Sequence, residues 1–206
     1  MFTIVKDFRQ ETIIEKSRFI CTLKKVENEA QAQEFIKNIK KEFWDATHNC
    51  SAYIIDDLAQ RSSDDGEPSG TAGLPMLEVL RKNKLTNTAA VVTRYFGGIK
   101  LGAGGLVRAY TNSVAGAVRG SGIAEKVMMG RYFFLDDLND VGKILNILYQ
   151  QQLFEIAEVE YGLRAKVILR MKESDKQQAE EWLTEKLNKM VELELEAREV
   201  VEVPVN

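Results

Sequence analysis

Apolar residues recur at two different spacings in the first 125 residues and predict a mixture of helices and strands. Apolar residues three or four positions apart predict helices, whereas short apolar runs predict strands. The predicted helices cover residues 28–43, 75–82 and 105–119. The predicted strands cover residues 12–14, 19–23, 51–55 and 89–93. This part of the chain is therefore predicted to be a mixed domain of helices and strands.

Beyond Gly130 the pattern is more regular. Strands are predicted at 132–135, 156–161 and 165–171, and helices at 141–148 and from a Ser-x-x-Gln capping box at 174–177 to about residue 190. Val191, Leu193 and Leu195 then alternate with glutamates, as in a half-buried strand. The resulting order, β-α-β-β-α-β, predicts a ferredoxin-like fold.

The boundary between the two parts is marked by a change in composition, since no Pro/Ser-rich linker separates them. Eight of the fourteen glycines fall between Gly97 and Gly122, and glycine is sparse beyond. The sequence thus predicts an α+β protein with domains at 1–125 and 126–206.

Several classes of protein are excluded by simple sequence features. The longest apolar runs are far shorter than the ~20 residues needed to span a bilayer, so no membrane association is expected. The first residues do not resemble a signal peptide. Cys21 and Cys50 are too few and too distant to indicate a disulfide scaffold or a zinc site. We therefore expect a cytoplasmic protein.

Charge is distributed unevenly along the chain. Residues 1–125 carry 17 Lys+Arg against 15 Asp+Glu, whereas residues 126–206 carry 11 against 16. Residues 79–124 contain seven cationic residues and no carboxylate. On the predicted helix 105–119, Arg108, Asn112 and Arg119 share the face opposite the apolar one. This segment is predicted to face an anionic partner, the alternative being an ordinary solvated helix face.

Residues 64–73, here called the acidic loop, contain three carboxylates and lead into a predicted helix. Three interpretations remain open: a structural loop, direct anion binding at the helix N-terminus, or a metal site built from Asp64, Asp65 and Glu67. The residues expected to shape the loop are Gly66, Ser69, Gly70, Thr71 and Gly73.

Residues 94–106, here called the glycine-rich segment, lead from a predicted strand to a predicted helix. The glycine spacing is a poor match to a dinucleotide-binding fingerprint. Arg94, Tyr95 and Lys100 combine cations with an aromatic ring, a pattern suited to phosphate and stacked bases. Gly97, Gly98 and Gly102 are expected to shape the turn. The alternative is that the aromatic residues belong to the core and the glycines allow close packing.

His48 and Cys50 lie just before a predicted strand. Histidine is a common general base, and cysteine is a possible nucleophile. His48 is the sole histidine of the chain, which excludes a multi-histidine metal site. A packed His48 and a buried Cys50 are the favoured interpretation.

Four motifs carry a resemblance to a known family: residues 16–19, 48–50, 64–73 and 94–102 resemble, in this order, the motifs of the Impact family. The resemblance implies an N-terminal domain of the ribosomal-protein and elongation-factor type. It also implies a second domain similar to the last domain of the translocating elongation factor. Eukaryotic members restrain an amino-acid-starvation kinase, but they carry an extra N-terminal domain, so we do not expect that role here.

Together these features predict a translation-associated binding protein that contacts RNA or the ribosome and is not a typical enzyme, with no cofactor and no resident metal. The residues predicted to hold the anionic partner are Lys16, Arg18, Arg94, Tyr95, Lys100, Arg108 and Arg119. Two alternatives remain. One is a metal-assisted hydrolase using His48 and the acidic-loop carboxylates. The other is a module that binds a translation factor or another protein.

Overall fold

The computed structural model of the protein describes residues 1–205 and divides the chain into two structural units. The first comprises residues 1–126 together with 202–205, and the second comprises residues 127–201. Within residues 1–205, no helix combines the length and the apolar character needed to cross a lipid bilayer.

The first unit is built on an antiparallel sheet. The unit contains strands β1 (Phe2–Ile4), β2 (Phe8–Ile14), β3 (Ser17–Lys25), β4 (His48–Ile54), β5 (Gln60–Ser63) and β6 (Thr88–Tyr95), of which all but β1 belong to this sheet. Its helices are α1 (Glu29–Glu42), α2 (Gly73–Lys82) and α3 (Gly102–Ser121). The strand order of the sheet is β2-β3-β6-β4-β5. The predicted helices and strands of this unit are confirmed, with longer strands than the apolar runs alone indicated.

The sheet separates two cores, because successive side chains of a strand point to opposite faces. On β6, Val92 packs in the core under α2 and α3, whereas Val91 packs in the core under α1. The same alternation puts Arg94 on the side of α2 and α3, and Tyr95 on the side of α1. This assignment determines which of the predicted site residues can act together.

The second unit has the predicted order of elements. It contains most of strand β7 (Ile123–Asp136), α4 (Val141–Leu148), β8 (Glu155–Tyr161), β9 (Ala165–Met171), α5 (Lys176–Leu187) and most of β10 (Glu194–Val205). Strand β7 lies between β9 and β10, and β8 pairs with the far side of β9. This arrangement confirms the ferredoxin-like prediction and the α+β fold class.

Local details differ from the sequence-based predictions. The capping box at Ser174 does not form, because a short 3₁₀ turn occupies Glu173–Asp175 and Asp175 is the N-cap residue of α5. Helix α5 ends at Leu187, where Asn188 adopts a left-handed conformation. Strand β10 begins only at Glu194, so Val191 and Leu193 reach the core from the preceding segment. The short strands β1 and β5 were not predicted.

Candidate functional site

The acidic loop is organised around the carboxylate of Asp64. Its Oδ1 accepts hydrogen bonds from the backbone N–H groups of Ala72 at 3.0 Å and Gly73 at 2.7 Å, and its Oδ2 accepts one from Gly70 at 2.8 Å. Desolvation opposes ionisation of this carboxyl, but the three backbone donors outweigh it and lower the pKa of Asp64. Asp64 therefore caps the start of α2, whose own N-cap residue Ala72 has no capping side chain.

The substitution Asp64→Asn is expected to lower the free energy of unfolding at pH 7 by about 2 kcal/mol, because the backbone donors lose a charged acceptor. Since the pKa of Asp64 is lowered on folding, its stabilisation is complete above its ordinary value of 3.8 and is lost as the pH falls through the folded-state pKa. Urea unfolding at pH 7 and in the acid range tests this. The loss of unfolding free energy in the variant, relative to the wild type, should be smaller in acid than at pH 7. An equal loss at both pH values would contradict the prediction. Asp57→Asn, at an exposed position, is the control.

Asp65 is also held by internal partners. Its Oδ1 lies 2.5 Å from Lys40 Nζ, and its Oδ2 accepts a hydrogen bond of 2.7 Å from the backbone N–H of Asn49. The Asp65 carbonyl oxygen lies 2.8 Å from His48 Nδ1. A carbonyl can only accept, so this ring nitrogen carries a proton and Nε2 is left for another partner.

Glu67 lies at the centre of a buried polar cluster under the loop. Its side chain is 3% exposed, and its Oε1 accepts hydrogen bonds of 2.7 Å from both Arg94 Nη1 and the Tyr110 hydroxyl. His48 Nε2 lies 3.8 Å from Glu67 Oε2. Burial, followed by the neighbouring Cys50 and Glu67, raises the pKa of Tyr110, which stays protonated and donates.

Cys50 borders this cluster but is not activated. Its Sγ lies 2.9 Å from the carbonyl oxygen of Asp64 and 3.3 Å from the Tyr110 hydroxyl. Desolvation raises the pKa of the Cys50 thiol to about 12, so the thiolate needed for nucleophilic attack does not form near neutral pH. This geometry supports the interpretation of Cys50 as a buried structural residue.

The metal-site interpretation of the acidic loop requires its three carboxylates to converge. Instead, Asp64 binds backbone amides, Asp65 binds Lys40, and Glu67 binds Arg94. In the part of the chain that the structure describes, no three His, Cys, Asp or Glu side chains are grouped closely enough to hold a metal ion. The three carboxylates therefore do not converge as that interpretation requires, although His48 does lie beside the loop.

The prediction that Arg94 belongs to an exposed cationic surface is wrong. Arg94 is 5% exposed, and its guanidinium is paired with Glu67 and packs over the Phe19 ring, 5.4 Å from its centroid. The strand alternation turns this side chain into the core under α3, where a charge requires a partner. Arg94 is thus a member of the buried cluster and not a surface contact for a large polyanion.

Arg18 and Tyr95 are paired with each other on the α1 side of the sheet. The Arg18 guanidinium lies 5.2 Å from the Tyr95 ring centroid and makes two hydrogen bonds to the Glu11 carboxylate, at 2.9 and 3.0 Å. The Tyr95 hydroxyl donates to Asp45 at 2.8 Å. Both residues are therefore separated from α3 by the sheet, and they do not form one continuous surface with its arginines.

Four of the predicted anion-binding residues remain exposed and available. They are Lys16, Lys100, Arg108 and Arg119, and within residues 1–205 no carboxylate lies within ion-pair distance of any of them. Lys16 lies in the two-residue hairpin turn between β2 and β3. Lys100 lies just before α3, and Arg108 and Arg119 lie on the exposed face of that helix.

The residues predicted to shape the two loops do so in two ways. Gly66, Gly70, Gly98 and Gly102 have positive φ values. At Gly73 a Cβ atom would lie 2.7 Å from the backbone nitrogen of Ser63, so only glycine allows this approach. Thr71 donates to the Pro68 carbonyl at 2.6 Å, while Ser69 is exposed.

Comparison with known proteins places these motifs in a family. The family model of the Impact N-terminal domain matches residues 15–118, and that of a domain of unknown function, DUF1949, matches residues 137–188. The IMPACT family member YvyE of Bacillus subtilis is 50% identical over 189 residues, covering 91% of this chain and 87% of that protein. An IMPACT family member of Haemophilus influenzae is 39% identical over 170 residues, covering 81% of each protein.

A solved structure shares the fold over nearly the whole length. The crystal structure of a hypothetical protein is 30% identical, covers 95% of this chain and 96% of its own, and aligns with a TM-score of 0.59. The matched family models account for the acidic loop and the glycine-rich segment in the first unit and for most of the second. The chain belongs to the IMPACT family.

Proposed function

We propose that the protein binds RNA through the exposed face of α3, in the setting of translation that the family resemblance implies. The observation that carries the proposal is the pair Arg108 and Arg119, both exposed on one helix face and both free of carboxylate partners within residues 1–205. The opposite face of α3 is buried in the core. The helix is therefore fixed in place and presents its cations outward.

The contrast with three other surface arginines of the first unit supports this role. Arg9 is paired with Glu42, Arg18 with Glu11, and Arg81 with Glu78. The guanidinium groups of these three residues are therefore already engaged by carboxylates of the chain itself. Unpaired cations are free to neutralise phosphates, and the release of counterions from the nucleic acid then drives binding.

The spacing of the arginines suits an extended polyanion. Arg108 and Arg119 are eleven residues apart, which corresponds to about 16 Å along a helix with a rise of 1.5 Å per residue. Asn112 is also exposed on this face and adds a neutral donor between them. The two arginines therefore contact phosphates several nucleotides apart on one strand, and Lys100 extends the row at the helix N-terminus.

The second unit, by its own charges, is unsuited to phosphate contact. Arg131 is paired with Glu158 and Glu196, both at 3.0 Å, and Lys166 and Arg170 are likewise surrounded by carboxylates. These cations are already neutralised, and the carboxylates repel a polyanion. We therefore assign RNA contact to the first unit alone.

The double substitution Arg108→Glu/Arg119→Glu is expected to weaken binding of a fluorescent single-stranded RNA at least about tenfold. Losing two phosphate contacts should also reduce the slope of log affinity against log salt by about 1.4. Fluorescence anisotropy over a salt series measures both quantities. The control, Lys37→Glu/Lys41→Glu, makes the same charge change at exposed positions of α1, on the opposite side of the sheet.

Two results would refute RNA binding at this face. One is an equal loss of affinity in both double variants, which would indicate only a dependence on net charge. The other is in-cell crosslinking that yields protein adducts and no RNA, which would favour a protein-interaction module.

A further inference from the structure

The buried polar cluster opens to the surface through a pocket of about 370 Å³ beside the N-terminus of α3. This volume lies at the lower end of the range for small-molecule sites. The polar part of the lining includes His48, Glu67 and Lys100, and the apolar part includes Phe96, Leu101 and Leu106. The pocket is therefore suited to one small ring system with a polar group at its inner end.

One oxygen of the Glu67 carboxylate is free to accept a hydrogen bond in this pocket. Its Oε1 already accepts from Arg94 and Tyr110, both at 2.7 Å. Its Oε2 receives no hydrogen bond from any group within residues 1–205, yet this atom is not sealed from solvent. Because the Glu67 side chain lines the pocket and is only 3% exposed, Oε2 is reached from the pocket. A hydrogen-bond donor would satisfy this oxygen, whereas an anion would be repelled by it.

The imidazole of His48 provides a second acceptor beside the first. Its Nδ1 donates to the Asp65 carbonyl oxygen at 2.8 Å, and a neutral imidazole protonated there has an acceptor at Nε2. This Nε2 lies 3.8 Å from Glu67 Oε2, which is too far for a hydrogen bond between the two. A single nitrogen that carries two hydrogens can lie about 3 Å from each and donate to both. The acceptor pair therefore fits an amino group.

The charges around this acceptor pair favour a neutral ligand. Arg94 neutralises Glu67 across a contact of 2.7 Å, and Lys100 adds an exposed cation to the lining. An ammonium group would be repelled by these two cations, and a phosphate group would be repelled by the free carboxylate oxygen. A neutral amino group avoids both repulsions.

The apolar part of the lining favours a flat ring. The Phe96 side chain is 47% exposed, and Leu101 and Leu106 belong to the same wall. Aromatic side chains bind nucleobases by stacking, because every base has a π-face. A planar ring on Phe96 can direct an amino group towards the two acceptors.

We propose that this pocket binds a nucleobase through its exocyclic amino group, which donates to Glu67 Oε2 and His48 Nε2 while the ring stacks on Phe96. Adenine, cytosine and guanine carry such a group, whereas uracil presents a carbonyl oxygen instead. The base belongs either to an RNA strand or to a free nucleoside. The strand is favoured because Gly102 and Ala103 of the lining begin α3, and this choice rests on the RNA binding proposed for that helix.

The first test compares adenosine with purine riboside, which has the same rings without the amino group. In ¹H–¹⁵N spectra of the full chain, adenosine is expected to shift the amide signals of residues 96 and 102–105. Its dissociation constant should be at least about tenfold lower than that of purine riboside, because two hydrogen bonds depend on the amino group. Cytidine should likewise bind more tightly than uridine. Equal affinities within both pairs would overturn the proposal.

The substitution Glu67→Gln tests the free oxygen directly. The donors Arg94 and Tyr110 hold the amide oxygen at the position of Oε1, so the amide nitrogen replaces Oε2 and presents hydrogens to the ligand. The preference for adenosine over purine riboside should then disappear, while the affinity for purine riboside changes little. His48→Phe, at a side chain that is 20% exposed, removes the other acceptor without altering the buried ion pair and should also reduce the preference. A preference retained in both variants would contradict the assigned contacts.

The stacking contact has its own variant. Phe96→Ala should weaken the binding of adenosine and purine riboside alike, by at least about fivefold. The matched control is Trp44→Ala, which removes an aromatic ring that is 82% exposed and lies outside the lining, and it should change neither affinity. Unchanged affinities in Phe96→Ala would refute binding in this pocket.

A comparison of RNA strands distinguishes the two sources of the base. A fluorescent oligouridine with one central adenosine is compared with the same strand carrying purine riboside at that position, in wild-type protein and in His48→Phe. A preference for the adenosine strand that is reduced in His48→Phe identifies a base of RNA. Equal affinity of the two strands, with the preference retained among nucleosides, identifies the free nucleoside. Because nucleosides carry no phosphate, their titration is independent of the α3 arginines and separates a failure of this proposal from a failure of RNA binding at α3.

Discussion

The substitution Arg94→Met is expected to lower the free energy of unfolding by about 3–5 kcal/mol. It removes the cation but leaves the Glu67 carboxylate in a site where its side chain is 3% exposed. The remaining hydrogen bond from Tyr110, of 2.7 Å, does not compensate a buried negative charge. Urea unfolding at pH 7, followed by circular dichroism, measures the loss.

The double substitution Arg94→Met/Glu67→Gln is expected to recover at least about 2 kcal/mol of this loss, because no charge then remains buried. Glutamine keeps an oxygen that can accept from Tyr110. Arg18→Met, which removes one member of an exposed ion pair, should cost far less stability than Arg94→Met. A loss for Arg94→Met no larger than that for Arg18→Met would show that the buried pair does not stabilise the fold.

The elements whose signals are local were predictable from the sequence. Helix α1 is an example: it was predicted over residues 28–43, and Asn28, the first of them, is its N-cap residue and accepts a hydrogen bond of 2.9 Å from the backbone N–H of Gln31. Strand β1 is the opposite case. It has only three residues and pairs with the start of β7, more than a hundred residues later. Such pairing leaves no periodic pattern in a short segment.

The capping box at Ser174 shows how a correct motif can fail. The residue types fit, but the chain forms a 3₁₀ turn first, and the Ser174 hydroxyl binds the Asp175 side chain. Small polar residues have several local hydrogen-bonding options, and the sequence does not decide between them. The existence of α5 was therefore predictable, whereas its first residue was not.

The candidate site was predictable only in part, for a similar reason. The carboxylate-free segment 79–124 suggested a continuous cationic surface. However, Arg94 forms an ion pair with Glu67, which lies outside the segment. One signal in the sequence did point inward: the apolar run of β6 continues to Arg94 with the same two-residue alternation as Val92. The α3 arginines show no such inward signal. Their position opposite the apolar face follows from the spacing of residues within that one helix.

Gly97→Ala is expected to destabilise the fold by at least about 3 kcal/mol, the upper range for an added methyl group in a packed site. A Cβ atom at this position would overlap the carbonyl group of Lys16, which is backbone and cannot move aside as a side chain would. Gly98→Ala is the control, since its Cβ would meet nothing within 4 Å and its cost, about 1–2 kcal/mol, comes only from φ of +84°. Thermal and urea unfolding of both variants give the comparison. A smaller loss for Gly97→Ala than for Gly98→Ala would mean that the hairpin turn at Lys16 is free to separate from the glycine-rich segment.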